Sequence, residues 1–220
     1  MATKILIADD DLETLKLVGL ILERQGFTII AANNGRQAVA KALAEHPSLA
    51  IIDIMMPDLS GPEFYAAMWQ AVQGFGFTGG RVLEPSAGVG HFLGAMPAAL
   101  AEQCTVTAIE IDRLSGRMLR ALYGASGVDV RIAAFEKTPL ADAWYDLAIG
   151  NVPFGAYKVA DSSNRPYGRF SIHNYFLGRA LDLLRPGGLA CFITSSHTMD
   201  AWDDSVRRYV ASKAVLLGAI

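Results

Sequence analysis

The stretch Asn151-Val152-Pro153-Phe154 has the residue types needed to hold a planar amine. An asparagine side-chain carbonyl and a nearby backbone carbonyl can accept both N–H bonds of an exocyclic amino group. An aromatic ring beside them can stack on the base that carries it. The stretch follows an apolar run over 145–150, which predicts a buried strand. Such chemistry needs a group donor, and a candidate site lies upstream in Glu84-Pro85-Ser86-Ala87-Gly88-Val89-Gly90. Gly88 and Gly90 permit close backbone approach where a strand over 81–84 gives way to a helix over 91–101. Glu110, near the end of a predicted strand over 105–111, is an acid placed to bind ribose hydroxyls. Taken alone it is equally a solvated strand end. Together the loop and the acid argue for an adenosine-containing cofactor.

A second group of acids lies near the start. Asp9 and Asp10 follow the apolar run Lys4-Ile5-Leu6-Ile7-Ala8, and Asp53 follows Leu49–Ile52. Adjacent parallel strands would bring these carboxyl ends to one edge, where Mg²⁺ would relieve the repulsion among the carboxylates. A carboxylate beside Mg²⁺ could accept a phosphoryl group. The simpler alternative is that Asp9-Asp10-Asp11 is an acidic helix N-terminus.

These residues need elements to position them. The chain has 220 residues, of which 52% are hydrophobic, enough for a sizeable core. Strands predicted near 4–8, 27–32 and 49–54 alternate with helices beginning near Leu12 and Gln37. A helix over 62–73 leads to glycines at 74, 76, 79 and 80. Beyond these, strands are expected at 81–84, 105–111, 129–133, 145–150, 188–194 and 214–219, with helices at 91–101, 113–123, 172–184 and 203–212. The alternation predicts an α/β fold with doubly wound parallel sheets. The boundary is expected between Gly61 and Gly80, giving domains 1–63 and 64–220.

Residues 1–65 hold nine acids and five bases, and the remainder is near neutral, so any nucleic-acid contact must be a local patch. The loop 156–169 carries Lys158, Arg165, Tyr167 and Arg169, which could touch phosphates and stack bases or be a solvated surface loop. His173 and Asn174 are expected to cap or pack a helix. Cys104 and Cys191 read as buried free thiols, and the four histidines show no zinc spacing. No apolar run could span a bilayer, and no signal-peptide pattern is seen. A soluble cytoplasmic protein is the expectation.

Resemblance sharpens both halves. Ile7-Ala8-Asp9-Asp10-Asp11 with Ile52-Asp53-Ile54-Met55-Met56-Pro57-Asp58 resembles the receiver domain of two-component response regulators over residues 3–63. That resemblance implies a partial flavodoxin-like βαβαβ unit with Asp53 as phospho-acceptor, Asp9 and Asp10 as metal-binding acids, and a histidine kinase as partner. Three of the family's five strands are recognisable, and its later hydroxyl and lysine are not.

From about Tyr65 to Ile220, the glycine loop resembles motif I of class I S-adenosylmethionine-dependent methyltransferases. Asn151-Val152-Pro153-Phe154 resembles the Asn-Pro-Pro-aromatic motif of the amino-methylating branch. Phe75–Pro85 and Phe170–Phe176 look like N6-adenine DNA methylases fused to helicases on mobile elements. This implies a Rossmann-like fold in which Glu84, Gly88 and Gly90 line the methionine end of the cofactor and Glu110 binds the ribose. Phe135 or Glu136 would border the cofactor adenine. Asn151 and Pro153 would hold the amine of a flipped adenine in DNA, with Phe154 stacked on it. Departures are Val152 in place of a proline and Ala134 in place of an acid. Asn-Pro-Pro-aromatic turns also serve protein glutamine and RNA bases. A phospho-acceptor module with a non-catalytic Rossmann-like partner is the other reading.

Overall fold

A computed structural model describes residues 4–45, 49–52, 61–155, 157–161, 163–194, 198 and 202–217. These divide into two compact units. One runs up to Ala67 and also takes the stretch from Val215, and the other runs from Met68 to Ala214.

The first unit is built on strands β1 (Lys4–Ala8), β2 (Thr28–Ala32) and β3 (Leu49–Ile52), in the order β2-β1-β3 and all parallel. Helices α1 (Leu12–Arg24) and α2 (Gly35–Glu45) are the crossovers. The period-two alternation of a strand sorts the side chains between the two faces. Ile5 and Ile7 pack with Leu15, whereas Leu6 and Ala8 pack with Ile30, Ala32 and Ala38. Asp11 is the N-cap of α1, with its carboxylate accepting from the Glu13 amide at 2.9 Å and the Thr14 hydroxyl at 2.8 Å.

Helix α3 (Gly61–Gly74) leads into the second unit, where the indole Nε1 of buried Trp69 donates to the Phe92 carbonyl at 2.9 Å. The larger sheet contains β4 (Gly80–Glu84), β5 (Cys104–Glu110), β6 (Asp129–Ile132), β7 (Tyr145–Asn151) and β8 (Leu184–Ile193). Its order is β6-β5-β4-β7-β8, all parallel. The order reverses between β4 and β7, and this switch point is where ligands sit in open α/β sheets. Helices α4 (His91–Ala95), α5 (Ala98–Ala101), α6 (Arg113–Tyr123), α7 (Ile172–Leu183) and α8 (Ser205–Lys213) complete the layers. Ala108 faces a core of Ala87, Leu119 and Val130, while its neighbour Ile109 faces one of Phe135, Tyr175 and Leu183. Burial on both faces explains the consecutive apolar residues Val82-Leu83 in β4, Ala108-Ile109 in β5 and Leu147-Ala148-Ile149 in β7.

Three expectations about elements need correction. The helix over 91–101 is two short helices, because Met96 is extended and Pro97 is the N-cap of the second. The last parallel strand starts at Leu184 rather than 188. Tyr145 pairs with Leu184 and Leu147 with Leu189, so the surplus residues, including Pro186 and Gly187 (φ 80°), bulge out of the ladder. Residues 214–217 form no strand, and Val215 is 84% exposed. Cys104 and Cys191 are free and half-buried rather than fully buried, and burial pushes the Cys191 thiol up to about 12. Among the described residues, no helix is long and apolar enough to cross a membrane.

Candidate active site

The carboxyl ends of β4, β5 and β7 lie side by side, and each delivers one of the acids or motifs singled out above. Glu84 ends β4 and is 1% exposed. Its Oε2 is buried without a hydrogen-bond partner. Burial pushes its carboxyl well above the ordinary carboxylate range, and the charge of Glu110 pushes it further. A buried, unpartnered carboxyl at a sheet switch point is an acceptor waiting for a donor.

Glu110 ends β5 at 8% exposure and organises the loop between the two strands. Its Oε2 accepts from the Gly88 amide and its Oε1 from the Asp112 amide, each at 2.7 Å. The loop is further pinned by the Ala87 amide, which donates to the Ile109 carbonyl at 2.9 Å. Gly88 sits at φ 57° with open space where a Cβ would point. Gly90, at φ 93°, is the N-cap of α4, and a Cβ there would lie 2.4 Å from the Tyr123 ring. Gly88 thus leaves room at the loop, whereas Gly90 lets α6 pack against it.

Asn151 is the last residue of β7, and its side chain is exposed. Its backbone carbonyl accepts from Ser86 Oγ at 2.7 Å, tying the glycine loop to the Asn-Val-Pro-Phe turn. Val152 is 1% exposed, and its amide donates to the Ile193 carbonyl at 3.3 Å. A proline there could not donate, so valine extends the ladder with β8 by one bond. Pro153 is half-buried, and Phe154 is 49% exposed, leaving its ring accessible for stacking.

Phe135 lies in the core at 2% exposure. Its ring is 4.9 Å from that of Phe176, with the Arg179 guanidinium 4.7 Å above it. Glu136, next along, is half-buried, and its carbonyl accepts from Arg179 at 3.1 Å. His173 and Asn174 are both 6% exposed. Asn174 donates to Ser171 Oγ at 3.0 Å and accepts from Thr198 Oγ1 at 2.8 Å, a packing network at the start of α7.

In the first unit, Asp9 accepts from the Asp11 amide at 2.8 Å, and Asp10 is exposed. Strands β1 and β3 end in register at Ala8 and Ile52. Asp53 lies outside the described residues, and among those described no three His, Cys, Asp or Glu side chains group to hold a metal.

Two interactions were not foreseen from sequence. The Ser86–Asn151 bond is one. The other lies at the opposite end of β7, where Asp146 accepts from the Arg81 amide at 2.6 Å, the Arg81 guanidinium at 3.2 Å and the Arg185 guanidinium. The signal for the second was an acid inside an apolar strand flanked by arginines at the starts of its two neighbours.

The model of the response regulator receiver domain matches residues 5–74, and that of the Eco57I restriction-modification methylase matches residues 112–216. Each of the two matches covers less than half of the chain. The chain is similar to the "Defense against restriction protein B" of Escherichia phage P1, 31% identical over 69% of this chain but only 7% of that protein. It is also similar to the response regulator GtcR of Aneurinibacillus migulanus, 52% identical over 28% of this chain and 25% of that protein. The chain therefore spans a small part of the curated relatives it matches. Among solved structures, a SAM-dependent methyltransferase from Aquifex aeolicus aligns at 15% identity with a TM-score of 0.45, over 68% of this chain and 79% of that one.

Proposed function

We propose that the second unit binds S-adenosylmethionine and transfers its methyl group to the N6 amine of adenine in DNA. The observation that carries this reading is the 2.7 Å bond from Ser86 Oγ to the Asn151 carbonyl, which brings the glycine loop and the amine-holding turn to one place on the sheet. The cofactor fits the residues present. Glu84 Oε2 is a buried acceptor without a partner, suited to the ammonium of the methionine part. Gly88 leaves open space at the glycine loop. Glu110 retains lone pairs for ribose hydroxyls after accepting its two amides. With Phe135 committed to the core, Glu136 is the better candidate to border the adenine of the cofactor. Bound there, S-adenosylmethionine supplies an electrophilic methyl group.

The chain's own contribution is positioning and electrostatics. Asn151 Oδ1 and a backbone carbonyl of the turn accept the two amine N–H bonds and stabilise positive charge growing on nitrogen. Pro153 fixes the turn, and the exposed ring of Phe154 stacks on a base taken out of its helix. A substrate of this kind implies work in the cytoplasm.

The test is transfer of tritium from labelled S-adenosylmethionine to separate DNA, RNA and protein pools. Label in DNA that vanishes with Asn151→Ala, without loss of fold, supports the reading. Label in RNA or in protein glutamine would redirect the substrate. No binding heat with S-adenosylmethionine would overturn the reading.

The match over residues 5–74 favours a second activity for the first unit. Asp53, with Asp9 and Asp10 holding Mg²⁺, would accept a phosphoryl group from a histidine kinase. Mg²⁺-dependent labelling by acetyl phosphate, lost in Asp53→Asn, checks it.

A further inference from the structure

A second concavity in the methylase unit has a wall that begins just beyond the amine-holding turn. It is a cleft of about 970 Å³, open to solvent and distinct from the strand ends that carry Glu84 and Glu110. Its charged lining is Lys158, Arg165 and Arg169 against Asp203. Arg165 is committed, bonding Asp142 at 2.7 Å and Asp182 at 2.9 Å. Asp203 is committed too, accepting from the amide and hydroxyl of Ser205 at 2.9 and 3.0 Å. Lys158 and Arg169 are exposed, and no described acid pairs with either.

These two cations are held near each other. Lys158 forms an antiparallel bridge with Ser171, and the Ile172 amide donates to the Tyr157 carbonyl at 2.9 Å. Arg169 precedes Ser171 by two residues. Its Cα therefore lies within about 12 Å of that of Lys158, close enough for the two side chains to meet successive phosphates of one strand. Lys158 is also four residues from Phe154, a span of at most about 14 Å. The clamp on Arg165 stiffens the segment between them. Phe170 and Tyr209 line the same cleft with ring centroids 5.9 Å apart, and Asn164 and Ser171 add polar groups.

We infer that this cleft binds the phosphodiester backbone of the nucleic-acid strand flanking the base presented at Asn151. The inference rests on the nucleic-acid reading of the methylase unit and adds a site to it. An acidic peptide could use the cations, but the paired rings of Phe170 and Tyr209 in the same cleft suit the bases of a strand rather than carboxylates. The strand would lie along the cleft with one phosphate on Lys158 and one on Arg169, and the base end would lead toward Phe154.

Fluorescence anisotropy of a labelled adenine-containing single-stranded oligonucleotide, titrated at several salt concentrations, tests this. Each phosphate contact on a single strand contributes about 0.7 to the slope of log affinity against log salt, so Lys158→Ala with Arg169→Ala should lower the slope by about 1.4. Lys158→Arg with Arg169→Lys should retain it, and binding of S-adenosylmethionine by calorimetry should be unaffected in both. An unchanged slope in the alanine pair overturns the inference. So does competition by poly-glutamate as effective as that by unlabelled DNA. A lowered slope in a chain that transfers no methyl group counts against the methylase reading and not against the cleft. An unchanged slope in a chain that methylates DNA counts against the cleft alone.

Discussion

Glu110 holds the Gly88 amide at 2.7 Å, so the acid at the end of one strand sets the shape of the loop leaving its neighbour. The same carboxylate holds the Asp112 amide and thereby the entry to α6. An acid read from sequence as a ribose ligand is first of all a fastener of the glycine loop.

Glu110→Gln keeps the size but replaces one acceptor oxygen with a donor that faces an amide N–H. The loop should lose its set. A lost hydrogen bond to a charged group is worth about 1.5–3 kcal/mol, so S-adenosylmethionine affinity should fall at least about tenfold in calorimetry.

Glu84 should link pH to both stability and binding. Its carboxyl is raised by burial and by Glu110, so the folded chain favours the protonated form. The unfolded chain releases that proton near the ordinary value of about 4.3. The contribution of Glu84 to stability is therefore greatest below that pH and is lost as pH rises toward the folded value. Glu84→Gln should gain stability over the parent at neutral pH more than at pH ~4.5 in urea unfolding, while binding cofactor more weakly. Cofactor binding below the raised value should release a proton, seen as a heat that changes with the ionisation enthalpy of the buffer.

Asp146 should behave in the opposite sense. Burial opposes its ionisation, but the Arg81 amide and the Arg185 and Arg81 guanidiniums outweigh that and bring it down to about 2. Its contribution is present above the unfolded value and is lost as pH falls through the folded one. This amounts to about 2 kcal/mol. Asp146→Asn should remove that amount at neutral pH and flatten the acid limb of a denaturation series.

Gly90→Ala tests the packing of α4 against α6. The new Cβ would lie 2.4 Å from the Tyr123 ring and 2.7 Å from Leu119, at φ 93°. Strain and overpacking together should cost about 2–4 kcal/mol, read as a lowered Tm of the second unit.

The sequence made most of this fold legible because its strands are buried on both faces. Short continuous apolar runs such as Leu147–Gly150, alternating with helical patterns, fit a covered parallel sheet. The glycine loop and the Asn-Val-Pro-Phe turn were legible as candidates because strand ends in such a sheet are where sites form. What escaped were relations between residues far apart in the chain. Ser86 and Asn151 are 65 residues apart, as are Arg81 and Asp146, and no local pattern registers either pair. Phe135 was placed beside a ligand by its position in a motif, but its ring had apolar neighbours in α7 to pack against. The run 214–217 is apolar enough for a strand, yet it pairs with no described strand.

The bond between Ser86 and the Asn151 carbonyl also bears on how two ligands would sense each other. One end belongs to the loop that would close on a cofactor and the other to the turn that would seat a base. If either ligand shifts its own side, the shared bond carries that shift across. Such coupling is reciprocal: the factor by which a cofactor tightens the hold on its target is the factor by which the target tightens the hold on the cofactor. Removing the hydroxyl alone, in Ser86→Ala, would leave two sites that bind in ignorance of each other.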